Sequence, residues 1–168
     1  MRSPRSRMFW ERSCRGKRDM EIRLVRPEER PALVALWERS VRATHTFLGD
    51  EDVAFYRPLV AQYLGASPEI WVLVDDRQTP LGFLGLGDAS IDALFLEPDH
   101  RGRGWGRRFV EHAQQLRPGA LTVDVNEQND SACAFYRALG FVVVGRSAID
   151  ETGRHFPLLH LRRPALAP

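Results

Sequence analysis

Apolar and polar residues along the first third of the chain repeat with the spacing of one strand and two helices. The run EIRLV at 21–25 alternates as a strand does. Residues 27–45 are predicted to be helical, because apolar side chains recur along one face: Leu33, Leu36, Trp37 and Val41. A second helix is predicted over 50–64, with Pro58 as the place for a kink or a break.

Three short apolar runs follow, and each has the length of a strand. The runs at 70–75 and 80–87 are separated by the polar stretch DDRQT, which predicts an antiparallel hairpin. The third run covers 90–97 and ends at Pro98. The front half of the chain is therefore expected to form an antiparallel sheet.

The second half alternates helices and strands. A helix is predicted after residue 104 from the apolar face formed by Phe109, Val110, Ala113 and Leu116. A strand at 120–125 precedes a helix near 129–139, which Gly140 is expected to end in a left-handed conformation. Two closing strands are predicted, at 141–146 and 156–161. The order of elements indicates an α+β fold.

Charge divides the chain into an extension and a body. Residues 1–19 carry seven Lys or Arg against Glu11 and Asp19, a net +5, which leaves −3 of the overall +2 for residues 20–168. Since Met20 opens a clean first strand, we expect 1–19 to be a poorly ordered basic extension and 20–168 to be the domain. A body without excess positive charge disfavours nucleic-acid binding, although the extension could serve as a basic arm.

The cysteine content and the hydropathy of the sequence indicate the cellular compartment in which the protein is expected. Two cysteines make neither a disulfide framework nor a metal cluster, and no apolar stretch reaches the ~20 residues that a membrane helix needs. The five histidines do not fall into a metal-ligand spacing with carboxylates. We therefore expect a cytoplasmic protein without a membrane segment or a metal.

The hexapeptide Arg-Gly-Arg-Gly-Trp-Gly at 101–106 is the strongest candidate for chemistry. Glycines let backbone N–H groups approach a ligand, and a following helix N-terminus and arginines favour an anion such as a pyrophosphate. Neither the dinucleotide fingerprint nor the P-loop spacing fits, because Gly102 is followed five residues later by Arg107. A glycine-rich surface turn is the alternative.

Two stretches in order, ALFLEPDHRGRGWG and VNEQNDSACAFYRALGF, resemble motifs of the GNAT superfamily of acyl-CoA-dependent N-acetyltransferases. The second carries the pattern of Asn129, Ala132, Phe135, Tyr136, Gly140 and Phe141. The resemblance extends over about residues 20–162. Within the superfamily, the chain looks like a bacterial branch of small members. It implies transfer of an acetyl group from acetyl-CoA to a primary amine of a small molecule or peptide.

The resemblance also implies a twisted mixed sheet of about six to seven strands flanked by about four helices. Its parallel central strands, here 90–97 and 120–125, would splay apart to admit coenzyme A. The pantetheine arm would pair with the backbone of Phe95 and Leu96, and Asn129 would bond the arm, cap its helix, or do both. The pyrophosphate would lie over residues 102–106, which are Gly102, Arg103, Gly104, Trp105 and Gly106. The flanking Arg101 and Arg107 would also bind the cofactor.

Three residues are candidates for proton transfer. Deprotonating an alkyl ammonium at neutral pH costs about 4 kcal/mol, so a base is expected. The resemblance points to Asp92, acting through water, and His45 is a second candidate; a solvated aspartate and a helix-end histidine are the alternatives. Tyr136 matches the family's general acid, and a hydrogen bond to the leaving sulfur is its economical role, with core packing as the alternative.

The acceptor pocket is the least specified part of the site. One side is expected to consist of Trp37, Ser40, Thr44, His45 and Phe47, with the loop from Asp150 to His155 closing the other. Because this set has no cluster of acids, a polyamine has no evident receptor. A non-catalytic acyl-CoA-binding module is the alternative function, and the apolar final strand allows a homodimer.

Overall fold

The computed structural model describes residues 20–165, so the predicted extension at 1–19 lies outside the described residues. The helices of this part are α1 (Arg30–Thr44), α2 (Asp50–Ala66), α3 (Trp105–Leu116) and α4 (Asp130–Ala138). The strands are β1 (Glu21–Leu24), β2 (Ile70–Val74), β3 (Pro80–Leu86), β4 (Ser90–Leu96), β5 (Leu121–Asn126), β6 (Val142–Ser147) and β7 (Leu158–Arg163). Short 3-10 turns precede α1 and follow β4.

All seven strands form one mixed sheet in the order β1-β2-β3-β4-β5-β7-β6. Every neighbouring pair is antiparallel except β4 and β5, which run parallel and share only two register pairs, Ser90 with Thr122 and Ile91 with Val123. Beyond Ile91 the two strands separate. The predicted α+β class, the strand and helix numbers and the splayed parallel pair are confirmed.

Two hydrophobic clusters pack on the sheet. One joins α1 and α2 to β2 and β3, and the other joins α3 and α4 to β4, β5 and β7. Phe109 of α3 is fully buried in the second cluster. The two helix pairs thus cover opposite faces of the sheet, and the gap between β4 and β5 opens between the layers.

Two details of the predicted helices are wrong. Helix α2 continues through Pro58 without a break, because this proline is exposed and the carbonyl that it leaves unpaired one turn earlier can reach water. Leu116 lies outside the buried face of α3, with 38% of its surface exposed, because it is the last residue of that helix. Phe109, Val110 and Ala113 are buried as predicted, and Gly140 follows α4 with a φ of +89°.

Candidate active site

The gap between β4 and β5 presents one unpaired edge of strand β4. The amide of Glu97 donates to the carbonyl of Leu81 on β3 over 2.8 Å, so the peptide groups of Phe95, two residues earlier, also face β3. Those of Leu94 and Leu96 face the gap. The backbone pairing predicted for Phe95 is therefore wrong, because its peptide groups face β3. The pairing predicted for Leu96 stays a prediction.

The glycine loop bends into α3 with two residues in the left-handed region. Gly102 has a φ of +70° and Gly104, the N-cap of α3, a φ of +86°. A Cβ at either position would meet open space, so both glycines leave the helix N-terminus accessible to a ligand. Gly106 differs, because a Cβ there would lie 3.1 Å from the Phe135 ring, and its role is close packing.

A cavity of about 700 Å³ joins this loop to the strand gap. It is lined by eight of the ten residues predicted to bind the cofactor: Phe95, Leu96, Arg101, Gly102, Gly104, Gly106, Arg107 and Asn129. Arg103 is exposed outside this lining. The Trp105 side chain is buried in the core with the Arg108 guanidinium 4.7 Å from its ring centroid, because the first turn of α3 faces the sheet. Only the main chain of Trp105 is therefore left for the predicted contact with the cofactor, and this contact stays a prediction.

Asn129 caps α4 and also lines the cavity. Its Oδ1 accepts a hydrogen bond from the Ala132 amide over 3.1 Å, and the residue is 7% exposed. The capping role predicted for Asn129 is confirmed. Its part in binding the pantetheine arm stays a prediction.

Tyr136 reaches the cavity from α4. Its ring packs between Phe135 and Phe141, with centroid distances of 4.9 and 5.3 Å, and the residue is 6% exposed. Burial raises the pKa of the Tyr136 phenol far above its ordinary value. The phenol therefore keeps its proton at neutral pH and can act as a hydrogen-bond donor into the cavity.

A second cavity, of about 570 Å³, adjoins the first, since His45 and Phe95 line both. We call it the acidic pocket, because four carboxylates line it: Asp92, Asp124, Asp150 and Glu151. Aromatic residues complete the wall, among them Trp37, Tyr56, Phe83 and Phe156. The expectation that this region has no cluster of acids is wrong, because β4, β5 and the β6–β7 loop bring together carboxylates that are distant in sequence.

The residues predicted to bind the acceptor divide between the two cavities. Trp37 lines the acidic pocket. Ser40 and Thr44 line the first cavity, which we call the cofactor cavity after the predicted cofactor-binding residues that line it. His45 lies at the junction of the two. Phe47 lines neither cavity; its ring packs between His45 and Phe156, at centroid distances of 5.4 and 6.0 Å. Phe47 therefore supports the pocket from behind.

The imidazole of His45 is held in one tautomer. Thr44 Oγ1 donates its proton to the Ser40 carbonyl over 2.8 Å, so it accepts from His45 Nδ1 at 2.7 Å. The Nε2 lone pair is then free. Burial, aided by the nearby Arg101, lowers the pKa of His45 to about 4. The ring is therefore neutral at pH 7, and its Nε2 can accept a hydrogen bond from an amine at this position.

The acid stability of the fold is expected to depend on His45. Its pKa is about 4 in the folded chain and ordinarily about 6.5, so the unfolded chain binds more protons between these values. Stability from the neutral imidazole is present above pH 6.5 and is lost as the pH falls toward 4. Thermal unfolding at pH 7 and pH 5 should show a larger decrease in Tm for wild type than for His45→Gln. Equal decreases would contradict this assignment.

Asp92 occupies an irregular point of β4. The register with β3 shifts between Gly85 and Leu86, whose partners are Ala93 and Ile91, so Asp92 between them has no partner. Ser90 Oγ donates to Asp92 Oδ1 over 2.5 Å, and the aspartate is exposed to the acidic pocket. Asp92 is therefore in place to contact an acceptor, and its role as a base stays a prediction.

The β6–β7 loop closes the outer wall of the acidic pocket. Arg154 forms an ion pair with Asp52 of α2, and its guanidinium lies 4.4 Å from the Phe55 ring centroid. Tyr56 donates a hydrogen bond to Asp150, and burial together with this carboxylate raises the pKa of Tyr56 to about 12. These contacts join the loop to α2, as the predicted closure by residues 150–155 requires.

A left-handed glycine in the loop gives a direct test of the cofactor cavity. Gly104→Ala is expected to weaken binding of coenzyme A about tenfold, since its Cβ would enter the open space at the N-terminus of α3. The left-handed conformation would in addition cost about 1–2 kcal/mol of stability. Calorimetric titration would measure the change.

Gly153→Ala is the matched control for that variant. Gly153 has a similar φ of +83° and equally open surroundings, but it lies outside the cofactor cavity. Both variants should lose a similar amount of stability, and only Gly104→Ala should lose affinity. Equal affinities for coenzyme A in the two variants would contradict the assignment of the loop.

A fold with a glycine-bent helix N-terminus beside a gap between two parallel strands is shared by a class of known proteins. Residues 66–143 match the family described as "Acetyltransferase (GNAT) domain". The peptidyl-lysine N-acetyltransferase YjaB of Salmonella typhimurium is 48% identical over 145 residues, which cover 86% of this chain and 99% of that protein. The chain belongs to the GNAT family and is an N-acetyltransferase.

Solved structures agree with this assignment. The solution structure of apo-form YjaB from Escherichia coli has a TM-score of 0.80 and 46% identity, covering 88% of this chain and 99% of that one. A PaiA N-acetyltransferase from Thermoplasma acidophilum, solved in complex with coenzyme A, has a TM-score of 0.69 at 17% identity, covers 86% and 98% of the two chains and shows the shared fold.

Residues 20–165 have two further features, which concern membranes and metals. None of the helices described there combines the length and apolarity that crossing a membrane requires. In the same part of the chain, His, Cys, Asp and Glu side chains form no group of three or more that could hold a metal ion. Cys133 is buried and free.

Proposed function

We propose that this enzyme transfers the acetyl group of acetyl-CoA to the Nε amine of a lysine side chain in a peptide or protein. The observation that carries this proposal is the acidic pocket, which meets the cofactor cavity at His45 and Phe95. An acceptor amine in this pocket would therefore lie next to the cavity that Tyr136 lines.

The lining of the acidic pocket matches the chemistry of a lysine side chain. Aromatic rings of Trp37, Tyr56 and Phe156 suit the aliphatic stem and the ammonium, and four carboxylates supply the opposite charge. Among the described residues, no Lys or Arg lines this pocket. The name of the YjaB relative, a peptidyl-lysine N-acetyltransferase, supports the same acceptor class.

The cofactor cavity fits coenzyme A by the donors that it offers. Leu94 and Leu96 present unpaired peptide groups to the strand gap, as a pantetheine arm with amide groups requires. Gly102 and Gly104 leave the N-terminus of α3 open, and Arg101 and Arg107 add positive charge for phosphates. When bound, acetyl-CoA supplies the electrophilic thioester carbonyl.

Two kinds of side chain then take part in the reaction: a carboxylate of the acidic pocket and the Tyr136 phenol. A carboxylate of the acidic pocket would accept one proton from the acceptor ammonium, and the neutral amine would then attack the acetyl carbon. As the carbon–sulfur bond breaks, the second proton of the nitrogen would pass through water to the departing thiolate of coenzyme A. Tyr136 donates a hydrogen bond toward the sulfur as the carbon–sulfur bond breaks. Because its phenol pKa is raised above 10 and a thiol has a pKa near 8.5, complete proton transfer is uphill, and a strengthened hydrogen bond is the favoured role.

An acceptor comparison tests this proposal. The enzyme is incubated with acetyl-CoA and four acceptors: an Nα-blocked lysine peptide, the same sequence with norleucine for lysine and a free α-amine, free lysine, and spermidine. Thiol release and mass spectrometry should show acetylation of the blocked lysine peptide above the others. Acetylation of the norleucine peptide at its α-amine alone would contradict the lysine assignment, and no transfer to any acceptor would contradict the whole proposal.

A further inference from the structure

Three side chains on adjacent strands form a hydrogen-bonded chain beside the acidic pocket. Ser147 Oγ of β6 lies 2.7 Å from His160 Nε2 of β7, and His160 Nδ1 lies 2.7 Å from Asp124 Oδ1 of β5. The sheet register produces this arrangement, because His160 is paired with Asp124 on one side and with Gly145 on the other. A Cβ at position 145 would lie 3.3 Å from the His160 ring, so Gly145 leaves room for the imidazole.

The hydrogen bonds between these three side chains allow only one arrangement of protons when His160 is neutral and Asp124 is ionised. A carboxylate only accepts, so His160 Nδ1 carries the proton and donates it to Asp124. Nε2 then accepts the proton of the Ser147 hydroxyl. The hydrogen bonds therefore run in one direction: Ser147 donates to His160, and His160 donates to Asp124.

Only the aspartate end of this chain opens to the acidic pocket. Asp124 lines that pocket, whereas Ser147 and His160 line neither cavity. Ser147 is therefore not placed as a nucleophile toward a substrate in either cavity, although the order of groups resembles that of a hydrolase triad. The two inner residues can act on an acceptor only through Asp124.

Asp124 also lies at the point where the parallel strands separate. Ser90 with Thr122 and Ile91 with Val123 are the last paired residues, so Asp92 and Asp124 follow on the two strands at the start of the gap. Both aspartates line the acidic pocket. Asp92 is held by Ser90 within its own strand, whereas Asp124 is held across the sheet by His160.

We propose that Asp124 is the carboxylate that receives the acceptor ammonium, and that His160 and Ser147 are positioning residues that fix its orientation. This inference rests on the proposed function. His160 holds Oδ1, which leaves Oδ2 for the acceptor: one ammonium N–H bond breaks, its proton passes to Oδ2, and the nitrogen keeps the electron pair for attack. The exposed side chain of Asp124 then returns the proton to water.

The experiment compares two acceptors that differ only in their need for a base. One is the blocked lysine peptide, and the other is the same peptide with an aminooxy group in place of the ammonium, which is already a neutral nucleophile at pH 7. Asp124→Asn is expected to lower kcat for the lysine peptide about 10- to 100-fold relative to wild type, since a charge-assisted contact is lost. The decrease with the aminooxy peptide should be at least fivefold smaller.

The positioning role is tested by a pair of variants at His160. His160→Phe removes the donor to Asp124 and should follow Asp124→Asn in its preference between the acceptors. His160→Asn restores an amide N–H near the position of Nδ1 and should recover at least fivefold of the lost activity. Arg162→Ala, at an exposed residue of the same strand, is the control for changes in β7, and coenzyme A titration checks that each variant is folded.

The outcomes separate this inference from the proposed function. Wild type that acetylates both peptides, with Asp124→Asn equally active on the lysine peptide, would overturn the role of Asp124. Variants at His160 that slow both acceptors equally would overturn the positioning role. Wild type that acetylates neither peptide while binding coenzyme A would contradict the proposed function itself.

Discussion

Tyr136→Phe is expected to lower kcat for acetyl transfer about 100- to 1000-fold, the range found when one donor to a developing negative charge is removed. The Tyr136 ring is buried between Phe135 and Phe141, and phenylalanine keeps this packing. The affinity for coenzyme A should therefore stay within about twofold, so the variant separates chemistry from binding.

Two measurements check the Tyr136 prediction. Steady-state kinetics with the lysine peptide gives kcat, and calorimetry gives the affinity for coenzyme A. Burial raises the pKa of the Tyr136 phenol above its ordinary value of about 10. Wild-type activity should therefore show no loss from ionisation of Tyr136 up to about pH 10. A Tyr136→Phe enzyme with nearly full kcat would show that the hydroxyl is not used.

Phe109→Ala is expected to lower the free energy of unfolding by about 3–5 kcal/mol, the usual cost of truncating a buried aromatic side chain. The Phe109 side chain is 0% exposed, and its ring would lie 3.3 Å from a Cβ at Gly82 of β3, so α3 is packed closely on the sheet there. The loss would be large against the 5–15 kcal/mol typical of a domain.

Leu116→Ala supplies the control on the same helix. Leu116 is 38% exposed, so its truncation should cost clearly less than that of Phe109. Urea unfolding of the two variants measures the difference. Similar losses for Phe109→Ala and Leu116→Ala would contradict the packing of α3 against the sheet.

The cofactor half of the site could be predicted from the sequence because its determinants are local. Gly102 and Gly104 are two residues apart and introduce the helix that follows them, so their conformation and the open N-terminus of α3 depend on a few neighbouring residues. Tyr136 follows in a short motif on α4. Local spacing also predicts most of the helices and strands, since most of them bury one apolar face.

Two details of that half depend on tertiary pairing and could not be predicted. The direction of the Phe95 peptide groups is set by the hydrogen bond from Glu97 to Leu81 of β3, a contact between strands. The burial of Trp105 depends on how α3 turns toward the sheet. The local sequence predicts that both residues lie near the cofactor. It does not specify which of their atoms face the cofactor.

Asp92 and the loop from Asp150 were predicted, but the grouping of carboxylates in the acceptor half was missed, because they come from distant parts of the chain. Asp92, Asp124 and Asp150 belong to β4, β5 and the β6–β7 loop, and only the sheet order brings them together. One signal was present: Asp124 alternates with buried Val123 and Val125, which places it on the opposite face of β5. Its partner His160 becomes visible only with the register of β7.

The most direct test of the central claim, two adjoining cavities that hold cofactor and lysine together, is the binding of a conjugate. In this ligand the sulfur of coenzyme A is joined through an acetyl bridge to the Nε of a blocked lysine peptide, and calorimetry compares it with coenzyme A alone. The conjugate should bind at least about 100-fold more tightly, since one molecule fills both cavities without a second loss of translational freedom. A conjugate that binds no more tightly than coenzyme A would contradict the claim.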